Sequence, residues 1–149
     1  MRSMKIANII VLIIGFVLLG LIGCDTPQSQ SQQPTGEPLP ADLELAATVQ
    51  EVLQADKRID ESTTVILNQS VSVGVKVSGF DRFRLKQIRQ EVHTRTKELI
   101  PPDHHVYVTS DKRLFAELQK IEKRIKDAGG IGSPAIQEEI KKINKDMQG

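Results

Sequence analysis

Apolar and polar positions divide this 149-residue chain into three stretches. Ile6 to Ile22 is apolar apart from Asn8 and its glycines. Asp25 to Pro40 is polar, and rich in Gln, Ser and Pro. From Ala41 the pattern becomes periodic. Leu43, Ala46, Ala47, Val49 and Leu53 recur at helical spacing after Pro40, which predicts a helix over 41–55. Asp56 to Asp60 reads as a charged turn and Thr63 to Leu67 as a strand. Asn68-Gln69 suits a tight hairpin turn, because Asn tolerates positive φ. Val71, Val73, Val75 and Val77 then alternate with Ser72, Gly74, Lys76 and Ser78, the clearest period-2 run in the chain. That alternation predicts a sheet with one covered side.

Asp81 is the expected N-cap of a helix over 81–99 whose stripe is Leu85, Ile88, Val92 and Leu99, ended by Pro101-Pro102. Val106-Tyr107-Val108 predicts a third strand, with Tyr107 opposite the two valines. Ser110 or Asp111 caps a helix carrying Leu114, Leu118, Ile121 and Ile125, stopped by Gly129-Gly130. Ser133-Pro134 starts a last helix with a thin edge of Ile136, Ile140, Ile143 and Met147. That edge packs on the domain or docks a partner as a helix in a groove. The predicted fold class is α+β: a small three-stranded sheet with helices on one face, in the order α-β-β-α-β-α-α. The 81–99 helix crosses over between the second and third strands.

Composition sharpens the reading of the N-terminal stretch. Cys24 is the sole cysteine, and it follows Leu21-Ile22-Gly23 at the end of the apolar run. Arg2 and Lys5 make a short basic segment before that run, the layout of a secretory leader. A thiol behind a small residue at this place is what the bacterial lipoprotein pathway modifies and cuts. Residues 1–23 are therefore expected to be a lipoprotein signal peptide, cleaved between Gly23 and a diacylated Cys24. Residues 24–40 read as a disordered linker, since they have too little apolar surface to fold. Residues 41–149 form the domain. The protein is expected on the outer face of the membrane, held by its acyl chains.

Losing Arg2 and Lys5 with the leader reduces 20 basic residues to 18, against 19 acidic, a formal net of −1. That balance is wrong for nucleic-acid binding. Charge is unevenly placed: residues 25–61 net −6 and residues 62–149 net +5. The candidate anionic-surface contacts are Arg82, Arg84, Lys86 and Arg89 around the 81–99 helix, and Lys120, Lys123 and Arg124 on the next. Their partner would be anionic lipid or a cell-wall polymer, attracted by charge that salt screens. His93, His104 and His105 lack metal-site spacing, no serine sits in a nucleophile turn, and Gly129-Gly130-Ile131-Gly132 lacks the lysine of a phosphate loop. No catalytic residue, metal or cofactor is expected.

Several local sequences, in this order, resemble the YhcN/YlaJ family of sporulation lipoproteins. They are the lipobox at Cys24, the polar linker, the valine-rich strand 71–77, the run Val106-Tyr107-Val108-Thr109-Ser110-Asp111 leading to Phe115, and Gly129 to Pro134. The resemblance covers about residues 45–147. It implies a membrane-anchored, non-enzymatic protein of the spore or sporulating cell, acting in sporulation or germination by binding at the membrane or wall face. The element order is also similar to the BON module, a unit thought to contact phospholipid. That likeness implies an alternative, a general envelope-binding module independent of sporulation.

Overall fold

The computed structural model describes residues 36–148. The leader, the cleavage site Gly23-Cys24 and the linker as far as residue 35 lie outside them. A short strand β1 (Leu39–Pro40) is followed by helix α1 (Leu43–Gln54), the hairpin β2 (Ile59–Leu67) and β3 (Ser70–Val77), a 3-10 helix (Gly79–Arg84) and helix α2 (Leu85–Leu99). Strand β4 (His105–Thr109), helix α3 (Lys112–Asp127), strand β5 (Ile131–Gly132) and helix α4 (Pro134–Gln148) complete the chain. The α+β class and the three-stranded sheet are as the sequence predicts.

The sheet runs β2-β3-β4, with β3 antiparallel to β2 and parallel to β4, so α2 is the crossover between parallel neighbours. Asn68 turns the hairpin at φ 55°, the left-handed conformation its side chain tolerates. Asp111 caps α3 by accepting from the backbone N–H groups of Arg113 (2.9 Å) and Leu114 (3.0 Å). Gly129 ends it at φ 68°, and the Gly130 N–H returns to the Ile125 carbonyl at 2.8 Å, closing a Schellman motif. The Ser133 hydroxyl accepts from the Ile136 N–H at 3.3 Å at the start of α4.

One expectation is overturned: helices cover both faces of the sheet. Val71, Val73, Val75 and Val77 face a core closed by Val49 and Leu53 of α1 and Ile88 and Val92 of α2. The face read as polar is also buried. Val65 and Leu67 of β2 pack there against Leu114, Leu118, Ile121 and Ile125 of α3 and Ile136, Ile140 and Ile143 of α4. The isoleucine edge of α4 is thus consumed inside the domain and is not free to dock a partner. What made this face look solvated was the smallness of Ser72 and Gly74. In fact those residues let α3 and α4 come close. A Cβ on Gly74 would lie 2.9 Å from Phe115 Cδ2 and 2.9 Å from Thr63 Cγ2. Ser72 is fully buried and its hydroxyl donates to Asn144 Oδ1 of α4 at 2.7 Å.

Gly74→Val therefore tests whether close approach matters. Valine is a better strand former than glycine, so secondary-structure preference favours the variant. Overpacking against Phe115 should nevertheless cost about 1–3 kcal/mol, read as a lower urea midpoint. An unchanged midpoint would show that α3 has room to move away.

Two boundaries also shift. Leu39-Pro40, assigned to the linker, pairs antiparallel with Ile131-Gly132, and the Gln137 side-chain amide donates to the Glu37 carbonyl at 2.7 Å. The ordered domain thus begins before Ala41, and the glycine-rich stretch supplies its pairing strand. Asp81 does not cap a helix. The chain first makes the 3-10 helix, and neither it nor α2 has a side-chain cap.

Candidate functional site

The seven basic residues singled out from the sequence are all exposed, but the fold does not gather them. Arg82 and Arg84 lie on the 3-10 helix, and Lys86 and Arg89 on α2, against one face of the sheet. Lys120, Lys123 and Arg124 lie on α3, against the other. Two of the α3 residues are neutralised. Lys123 pairs with Asp127 at 2.7 Å and Arg124 with Glu139 at 2.7 Å. Their neighbours Lys126 and Arg113 are also paired, with Glu122 at 2.6 Å and Glu117 at 2.9 Å. On the α2 side, no ion pair among the described residues takes Arg82, Arg84, Lys86 or Arg89. Arg84 reaches only the Gln87 side-chain carbonyl, at 3.4 Å. A shallow hollow of about 440 Å³ continues this basic strip, with Lys86, Arg89 and His93 on one side and Val108 of β4 on the other.

Beside the strip stand two side chains that the sequence reading passed over. Phe80 is 91% exposed and Phe83 90%. They were hidden because they sit out of phase with the α2 stripe. Stepping back three, four and seven residues from Leu85 reaches Arg82, Asp81 and Ser78, not a phenylalanine. The signal available was their own i,i+3 spacing directly after Gly79.

The structure places two further polar clusters. Asp56, with its side chain 9% exposed, accepts from Arg58 Nε (2.9 Å) and Nη2 (2.6 Å), the Arg58 backbone N–H (3.1 Å) and Arg95 Nη1 (3.0 Å). Arg58 Nη2 also donates to Glu91 at 2.6 Å. The Arg58 hydrogen bonds hold the Asp56 carboxyl far below the ordinary carboxylate range against the opposing effect of burial, with the charges of Arg58 and Arg95 adding to them. Arg58 and Gln87 lower Glu91 as well. This network straps the turn after α1 onto α2. Arg95 of α2 is consumed by it.

Glu122 of α3 accepts from Gln50 of α1 (2.9 Å), Thr63 of β2 (2.6 Å) and Lys126 (2.6 Å). Burial pushes its carboxyl up, and these donors outweigh it, so the group lies below its ordinary value. Both carboxylates are saturated by partners within the domain, an arrangement that fastens elements together. A hollow of about 380 Å³ between the hairpin turn, β4 and α4 is lined by His105, Tyr107, Gln137, Lys141 and Asn144. Asn144 is spoken for, since its amide donates to Ser70 Oγ at 2.7 Å while its carbonyl takes Ser72. Among the described residues no three His, Cys, Asp or Glu side chains are grouped to hold a metal ion, and no helix is long and apolar enough to cross a membrane.

No curated protein and no solved structure matches the chain. A protein-family match does exist, and it covers residues 24–148, beginning at Cys24 and running through α4. By that match the chain belongs to the sporulation lipoprotein family YhcN/YlaJ.

Proposed function

We propose that this protein is a lipid-anchored, non-catalytic binding protein on the outer face of a membrane of the sporulating cell or spore. It contributes to sporulation or germination by resting its folded domain on an anionic surface. The observation that carries this reading is the strip of Arg82, Arg84, Lys86 and Arg89, four exposed cations without acidic partners among the described residues, in a member of a lipoprotein family. Attraction between that strip and an anionic surface acts within a Debye length, about 8–10 Å at physiological salt. The acyl chains on Cys24 supply the lasting attachment, since each buried CH₂ contributes about 0.8 kcal/mol. Membership in a sporulation family favours this reading over a general envelope module, and steady production in vegetative cells would reverse that preference.

Two measurements test it. A Cys24→Ala chain should take up no labelled palmitate, keep its leader and fail to be processed. Normal labelling of that variant would remove the anchor from the account. The mature lipoprotein in anionic vesicles should hold its domain close to the surface at low salt and release it at high salt. Identical behaviour on neutral vesicles would remove the role of the basic strip.

A further inference from the structure

We propose that Phe80 and Phe83 form an aromatic wedge that enters an anionic lipid leaflet at the headgroup–acyl boundary, with the adjacent arginines on the lipid phosphates. This rests on the surface-binding role proposed above and identifies the surface as lipid bilayer.

Large apolar side chains in this domain are generally buried. Phe115 is 1% exposed, whereas Phe80 and Phe83 are almost wholly in water. Two phenylalanines left exposed in one turn form a local apolar patch, the kind of surface that marks an interaction site. The 3-10 helix gives the patch direction. At three residues per turn, positions i and i+3 eclipse, so Phe80 and Phe83 project from the same side as one ridge. Arg82 falls to one side of the ridge and Arg84 to the other. Asp81 is the acidic residue in the run from Gly79 to Arg89, against Arg82, Arg84, Lys86 and Arg89.

Aromatic residues projecting from a basic surface are the combination that interfacial membrane binding uses, apolar burial reinforced by attraction to anionic lipid. A wall polyanion would satisfy the arginines and give the two rings nothing to enter, which is why a leaflet is favoured. The chain can reach one. From Cys24 to Gly36 is about 12 residues, which at roughly 3 Å each span up to about 40 Å. A tether of that reach makes docking intramolecular, so a contact too weak to hold a free protein suffices.

The chain contains no tryptophan, so Phe80→Trp and Phe83→Trp each place a single reporter at a fully exposed position. The full lipidated protein is reconstituted in phosphatidylglycerol and in phosphatidylcholine vesicles. Energy transfer from the tryptophan to dansyl-labelled headgroups reads docking, and quenching by lipids brominated high on the acyl chain reads insertion. In phosphatidylglycerol at low salt, both reporters should show transfer, a blue-shifted emission and bromine quenching, all lost in phosphatidylcholine. A Lys120→Trp reporter on the opposite side should stay water-like throughout. Arg82→Gln and Arg84→Gln should each lower the ratio of docked to undocked protein about fivefold. Salt-sensitive transfer without bromine quenching overturns the wedge and leaves the surface-binding role standing. Absence of transfer in either vesicle overturns both. Equal quenching in both lipids overturns the anionic requirement. A blue shift only on adding isolated wall polymer or a protein fraction overturns the leaflet as the occupant.

Discussion

Phe115→Ala should lower the stability of the domain by about 3–5 kcal/mol. Phe115 is 1% exposed and is the largest of the fully buried side chains. Its ring lies against Gly74, and the Lys76 ammonium stands 4.6 Å from the ring centre. Truncation costs the transfer energy of the ring and leaves a cavity. Cavity cost depends on how far neighbours collapse, and here the wall facing the ring is a glycine, which has no side chain to move inward. The lost cation–π contact adds a further fraction of a kcal/mol. A domain of this size has total stability on the order of 5–15 kcal/mol, so the variant should populate unfolded chains in mild urea. Urea unfolding followed by circular dichroism measures the effect. A loss under about 1 kcal/mol would show that α3 closes over the gap and that its packing against the sheet is loose.

Asp56→Ala should cost about 2–4 kcal/mol at neutral pH. The carboxylate takes four hydrogen bonds from Arg58 and Arg95, and removing it leaves the Arg58 guanidinium with Glu91 alone. The effect carries a pH signature with a fixed sign. Because the folded carboxyl titrates below its ordinary value of 3.8, the unfolded chain binds the proton more readily than the folded one. The stabilisation is complete above the unfolded value, erodes as pH falls below about 3.8 and is gone once the folded carboxyl has itself been protonated. Glu91, also lowered, acts in the same direction, while Arg58, raised by its two carboxylate partners, stays charged throughout. Wild type and Asp56→Ala, unfolded in urea at pH 7 and pH 3, should therefore differ most at pH 7. A gap that widened toward pH 3 would reverse the sign and exclude Asp56 as an anionic clamp.

Much of the architecture was legible in the sequence because it is set locally. The Asn68 turn, the Asp111 cap, the Gly129 stop and the Ser133-Pro134 start each depend on residues within a few positions. The valine alternation in β3 fixed which side of that strand faces the first core. The polarity pattern misleads where a residue is small rather than solvated. Ser72 and Gly74 looked solvated, yet they are buried because α3 and α4 need short side chains beneath them. The helical period misleads again at Phe80 and Phe83, since a stripe extended at 3.6 residues per turn does not anticipate a change to a 3-10 turn.

What the sequence determined alone is the order of the four helices and of the three strands of the main sheet, the lone cysteine behind an apolar run, and the basic character of the second half. Each is a property of neighbouring residues or of composition. Tertiary structure decided which cations remain unpaired. Arg124 is neutralised by Glu139 of another helix, and Arg95 by Asp56 far back in the chain, while Arg82 and Lys86 meet no carboxylate among the described residues. An ion pair depends on what comes within about 4 Å in space, and distance along the chain carries no record of that.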